Sequence, residues 1–309
     1  MPDTARALWF PRAQEAELRA EDLPPTPPGH TRIRALFGGI SRGTEAMVFQ
    51  GGVPAGEYDR MRGPNQGGTF PFPVKYGYAT VGLAGSTPVF CLHPHQTLFD
   101  MAEAHPLPPG LPPERAILAA NMETALNIVW DARIAPGDRI NIFGAGTVGL
   151  LTAWLAARIP GTDVALTDPN PARQTPARAL DIPFGPPRPG SDIAINASAS
   201  AEALATAIDH AASDSLIVEA SWHPAPVTIP LGGAFHANRL RIAGSQVGNL
   251  PPHRRPRWTH ARRMQKALEL LLDPALDALI TGETAFDDLP ARYGEILAAP
   301  DTICHRIRY

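Results

Sequence analysis

The sequence predicts an α/β protein in two parts, an irregular β domain followed by a doubly wound parallel sheet. Three observations carry that prediction. Residues 1 to about 110 are rich in Pro and Gly and hold short β-type runs. From Asp138 onward strand-like and helix-like runs alternate, the pattern of a parallel sheet with helices on both faces. That alternation opens with NIFGAGTVGL, where Gly144, Gly146 and Gly149 are spaced as GxGxxG directly after an apolar strand. A length of 309 residues with 44% apolar content is enough for two cores.

In chain order, ARALWF, TRIRALF, YATVGLA, TPVFCL and HQTLFD read as the short strands of the first part. VKYGYATVGLAG, residues 74 to 85, reads as a Gly-punctuated strand that presents Tyr78, with no Cys, His, Asp or Glu within three residues of it. LPPGLPPERAILAANMETALNIVWDA switches to helical spacing, with Ile117, Leu118, Met122, Leu126 and Val129 on its apolar positions, so a boundary falls near residue 110. The strands RINIFGA, DVALTD, DIAINAS, SLIVEAS and RLRIAGS then build the parallel sheet. TVGLLTAWLAARI, ARQTPARAL and AEALATAIDHAA are its helices. HARRMQKALELLLD and DLPARYGEILAA are amphipathic helices, and ICHRIRY alternates as a closing strand should.

Charge and composition exclude several classes. A net charge of −3 gives no overall basic excess for nucleic acid to exploit, so no nucleic-acid partner is expected. Cys91 and Cys304 lie far apart without CxxC spacing, which builds neither a disulfide framework nor a cysteine-rich zinc site; a reducing cytoplasm fits. The charged N-terminus and the glycines interrupting the longest apolar run, residues 140 to 157, give no signal peptide and no membrane span.

The GxGxxG loop lets backbone N–H groups approach a pyrophosphate at the start of a helix, with Thr147 and Val148 as its first residues. Asp168 ends the next strand. Its carboxylate can accept both adenosine ribose hydroxyls and repels a 2′-phosphate, which favours NAD(H) over NADP(H), while Arg173 is near enough to soften that preference and leave NADP(H) open. Capping of the turn DPNPAR is the plain structural alternative for Asp168. At the carboxyl edge of the sheet, where ligands of such folds sit, Ser198 follows one strand and Ser221, Trp222 and His223 follow the next. Arg254, Arg255 and Arg257 in PPHRRPRW are either a solvated face or a fork for a carboxylate or phosphate on the substrate.

The order of parts resembles the medium-chain dehydrogenase/reductase superfamily of the zinc alcohol dehydrogenase type. GISRGTE (39 to 45), KYGYATVG (75 to 82), VFCLHPHQ (89 to 96), METALN (122 to 127), GAGTVG (144 to 149) and the final strand carry the resemblance. The metal-free dehydrogenases related to bacteriochlorophyllide a dehydrogenase are the branch it is most similar to. The resemblance implies a GroES-like domain over 1–114 completed by 277–309, a Rossmann domain over 115–276, and a homodimer paired through the outer strand RLRIAGS. It also implies contacts from Arg42 to the pyrophosphate and from Thr124 to the nicotinamide. Where the zinc enzymes carry ligands, this sequence has Ser41, Tyr78 with Ala79, and about Ala120, so no zinc is expected.

A hydride-transfer site without zinc must still stabilise charge on the substrate oxygen by hydrogen-bond donors or a general acid. Tyr78 is the first candidate, with an aromatic wall contact as its alternative. His93 is a candidate proton relay because an imidazole titrates near neutrality, and His95 is a weaker one. Ser41 and Thr44 are candidate donors or turn caps; Glu45 and Glu123 are read as salt-bridge or loop hydrogen-bond residues. The expected protein is a cytoplasmic, zinc-independent, NAD(H)-preferring oxidoreductase interconverting an alcohol and a carbonyl on a small molecule that can be anionic. A quinone or enoyl reductase and a non-catalytic dinucleotide-binding protein are the alternatives.

Overall fold

The computed structural model describes residues 3–223 and 225–309. The chain divides into two compact units, Met1–Ala120 with Met264–Tyr309, and Asn121–Arg263. The joins thus fall at 120/121 and 263/264, against the expected 114/115 and 276/277. The helix His260–Leu270 straddles the second join because each end is held by a different unit. Arg263 pairs with Glu123 at 3.0 Å in the second unit. Beyond it Met264, Ala267, Leu268 and Leu271 are buried, and Arg115 of the first unit donates to the Leu271 carbonyl and pairs with Asp277 at 2.7 Å.

The first unit is built on a seven-stranded sheet. Its order is Ile280–Ala285, Cys304–Arg308, Thr31–Ser41, Thr80–Ala84, Thr87–Cys91 and His105–Pro106, with Leu98–Met101 also paired to Thr31–Ser41. The closing strand Cys304–Arg308 runs antiparallel to Thr31–Ser41, in a register that sets Cys304 opposite Ser41. Phe10, Phe49 and Tyr293 form a mutually packed aromatic core with ring centroids 5.0 to 5.3 Å apart.

Two local readings change. VKYGYATVGLAG is not one strand: Val74–Lys75 and Thr80–Ala84 are strands, and residues 76 to 79 between them are not. Gly77 breaks the run with φ +117, and a Cβ there would sit 2.8 Å from His95 Nε2. The turn expected at Ser41 and Thr44 is the start of the helix Arg42–Phe49, with Ser41 as its N-cap residue. The Ser41 side chain makes no capping hydrogen bond.

The second unit is a five-stranded, all-parallel sheet ordered Asp163–Thr167, Arg139–Phe143, Ser191–Asn196, Ala211–Glu219 and Arg241–Gly244. Near-continuous apolar runs such as RINIF and DVALT are what a sheet buried on both faces requires. RLRIAGS supplies the outer strand, as the pattern predicts. At the opposite edge the next segment is reduced to one bridge between Leu166 and Phe184. No helix among the described residues is long and apolar enough to cross a membrane.

Candidate functional site

In the second unit, the strand Arg139–Phe143 ends in the glycine loop, and the three glycines do different jobs. Gly144 has φ +97, and a Cβ there would come within 2.9 Å of the Ala197 backbone. A Cβ on Gly149 would lie 1.8 Å from the Gly144 carbonyl oxygen. Both are therefore demanded by the chain's own packing. Gly146 is different: a Cβ would meet nothing within 4 Å, and this residue is the N-cap of the helix Thr147–Ala156, with no side chain to cap it. An uncapped helix start facing open space is what a dinucleotide phosphate requires, so these residues fit NAD(P).

Asp168 is held against this loop. Its Oδ2 accepts the Ala145 N–H at 2.7 Å and its Oδ1 the Asn170 N–H at 2.8 Å. It therefore does cap the turn, and each oxygen retains a second lone pair that a ribose hydroxyl can use. Arg173 is buried at the end of the short turn Pro171–Arg173. Ser198 and Ser221 meet in one network past the strand ends. Asn196 Oδ1 accepts from Ser198 Oγ at 2.6 Å, Asn196 Nδ2 donates to Glu219 Oε2 at 2.7 Å, and Glu219 Oε1 accepts the Ser221 N–H at 3.1 Å. Asn196 and Glu219 escape a reading of the sequence because they look like ordinary strand residues. Trp222 is exposed, and Thr124 lies half-buried on the helix Ala119–Ala132.

In the first unit, Tyr78 lies beside Ser41 and Thr44 at the start of the helix Arg42–Phe49, near enough for both to act on its phenol. The ring is half-buried and stands edge-on to Tyr76 at 6.2 Å. Behind them is Glu45, fully buried. Its Oε1 accepts the Ser41 N–H at 2.7 Å, and its Oε2 accepts from His95 Nε2 at 2.9 Å and from the Tyr293 hydroxyl. His95 Nδ1 is buried without a hydrogen-bond partner.

Burial first, and then the neighbouring Glu45 carboxylate, push the Tyr78 phenol up to about 12, against the pull of Ser41 and Thr44. Burial, then Glu45, also raises the Cys304 thiol to about 12. Both groups are protonated at neutral pH. His93 stands apart, stacked on Phe99 at 3.8 Å and 11°, with its Nδ1 bonded to the Pro94 carbonyl at 2.9 Å. Burial drives its pKa down to about 3. The expectation that His93 titrates near neutrality is thus corrected; an imidazole buried against an aromatic ring stays neutral there. Arg42 donates to the Ala299 and Pro300 carbonyls within its own unit. Among the described residues no group of three or more His, Cys, Asp or Glu is disposed to hold a metal ion.

No family model matches the sequence. D-guloside 3-dehydrogenase of Escherichia coli K12 is 26% identical over 205 residues, 60% of this chain and 59% of that protein; the matched segment spans about three fifths of the relative's length. A short chain alcohol dehydrogenase from E. coli CFT073, solved with NADH, superposes over 99% of both chains with a TM-score of 0.79 at 12% identity. 2R,3R-butanediol dehydrogenase from Bacillus subtilis does so over 99% of both with a TM-score of 0.78 at 17% identity. The chain has the medium-chain dehydrogenase/reductase fold. In that fold the first unit is the GroES-like part and the second the Rossmann part.

Proposed function

We propose that the chain is a zinc-independent, NAD(H)-preferring oxidoreductase that interconverts an alcohol and a carbonyl on a small molecule. The observation that carries the chemistry is the Tyr78 hydroxyl, with Ser41, Thr44 and the fully buried Glu45 acting on it. The loop of Gly144, Gly146 and Gly149 with Asp168 would hold the dinucleotide, which supplies or accepts the hydride when bound.

Tyr78 donates a hydrogen bond to the substrate oxygen as negative charge develops there. Burial, and then Glu45, raise the phenol's pKa and keep that proton in place through the neutral range. Ser41 and Thr44 pull against that rise, as hydroxyl donors to the phenol oxygen do. The name of the curated relative, D-guloside 3-dehydrogenase, supports an alcohol as the reduced substrate. A substrate panel followed by NADH absorbance tests the reading; reduction of quinones or enones alone would move it to that class.

Zinc independence rests on the donor set. Elemental analysis of protein purified without a metal-affinity tag should find less than stoichiometric zinc, and one zinc per chain overturns it. Among the described residues no strand pairs the outer edge of Arg241–Gly244, which supports a homodimer formed through it. Light scattering that gives a monomer at micromolar concentration removes that proposal. A cytoplasmic location fits the two buried free cysteines.

A further inference from the structure

The stretch from His253 to Lys266 carries five arginines and no Asp or Glu, on a chain whose net charge is −3. Arg263 is paired with Glu123. Among the described residues Arg133, Arg254, Arg257 and Arg262 have no carboxylate partner within ion-pair distance. Asp131, the nearby acid, is taken up by Ser245 Oγ at 2.6 Å and Asn127 Nδ2 at 2.9 Å.

These cations are braced rather than loose. The Arg254 guanidinium lies over the Trp130 ring at 5.0 Å and Arg262 over the Trp258 ring at 4.1 Å, while the two indoles pack together at 4.7 Å. Arg262 also donates to the Arg257 carbonyl, and the Arg257 and Trp258 N–H groups both bond the Arg254 carbonyl at 3.0 Å, closing the turn that gathers the three arginines. Stacking uses the flat face of a guanidinium and leaves its in-plane N–H groups for a fork onto an oxyanion. Arg254 Nε is buried without a hydrogen-bond partner. Burial, and then the charge of Arg257, pull the Arg254 pKa down, so the cations crowd one another and an anion between them would relieve the repulsion. Ser245, bonded to Asp131, directly follows the outer strand Arg241–Gly244, so the cluster lies off the carboxyl end of the sheet, where ligands of doubly wound folds collect.

We infer that Arg254, Arg257 and Arg262, braced on Trp130 and Trp258, form an oxyanion site that takes a phosphate or carboxylate group. This site stands independently of hydride transfer. The probes are inorganic phosphate and glucose 6-phosphate, titrated by calorimetry at low ionic strength into wild type, Arg254→Gln/Arg257→Gln and Arg19→Gln. Arg19 stacks on Trp9 at 4.7 Å but is paired with Glu17 at 2.6 Å, so it is a stacked arginine already satisfied.

Saturable one-to-one binding is expected in wild type and Arg19→Gln, weakened by about tenfold or more in the double variant, as loss of charged hydrogen bonds implies. NADH binding should be unchanged in the double variant, which separates loss of the site from misfolding and from failure of the dehydrogenase reading. Equal affinity for both probes assigns the site to a free anion. Tighter glucose 6-phosphate assigns it to the anionic group of a larger molecule, and both results uphold the site. Equal heats in wild type and the double variant, or an equal response to chloride at matched ionic strength, overturn it.

Discussion

The glycine loop and the Tyr78 cluster are built by opposite means. In the loop, function follows from side chains that are missing: Gly144 and Gly149 let the chain close on itself, and Gly146 leaves open space at a helix start. In the Tyr78 cluster, function follows from side chains brought together from positions 41, 44, 45, 78, 95 and 293. The contrast teaches that a backbone-built site is written locally in the sequence, whereas a side-chain-built site is written in the topology.

The largest expected effect separates the glycines. Gly149→Ala should destabilise the protein by about 3 kcal/mol or more, since its Cβ meets a backbone carbonyl that cannot move aside. Gly146→Ala should leave stability within about 0.5 kcal/mol of wild type while weakening NADH. Urea unfolding with NADH fluorescence titration of both variants checks this, and equal stability losses would break the division of labour.

Next in size is a pH effect in the first unit. With its folded pKa lowered to about 3, His93 is neutral when folded but protonates in the unfolded chain below its ordinary value near 6.5. The unfolded state then binds more protons as pH falls, so stability should drop by up to about 2 kcal/mol between pH 7 and 5 from this group. His105, His253 and His305 are also lowered by burial and act in the same direction. Comparing urea midpoints of wild type and His93→Gln at the two pH values isolates the contribution; an identical pH dependence would return His93 to the list of titrating candidates. The smallest effect concerns Asp168. Asp168→Ala should shrink the preference for NADH over NADPH by about tenfold, and an unchanged ratio would leave the carboxylate with its loop-bracing role alone.

Legibility divides along the same line. The order of strands, the glycine loop and Asp168 could be read because hydrophobic period and GxGxxG spacing are local. Tyr78 could be singled out as the side chain of its segment, and Ser41 and Thr44 lie beside it in the fold. Tyr293 could not, because nothing near residue 293 indicates that its hydroxyl reaches Glu45. The two histidines exchanged weight for a similar reason. His93 and His95, two apart, would share a face in a regular strand, but residues 92 to 94 lie outside any strand, and the pair diverges, His95 to Glu45 and His93 to Phe99. The segment GISRGTE looked like a turn because its glycines masked a short helix.

The central claim is that Tyr78 serves turnover rather than cofactor binding, and Tyr78→Phe tests it most directly because it keeps the ring and removes the hydroxyl alone. With the best substrate found, the variant should bind NADH as wild type does and lose about 10²–10³ in rate, the usual effect of removing one donor to developing charge. Nearly full activity with normal NADH binding would contradict the claim and leave Tyr78 as a wall of the site.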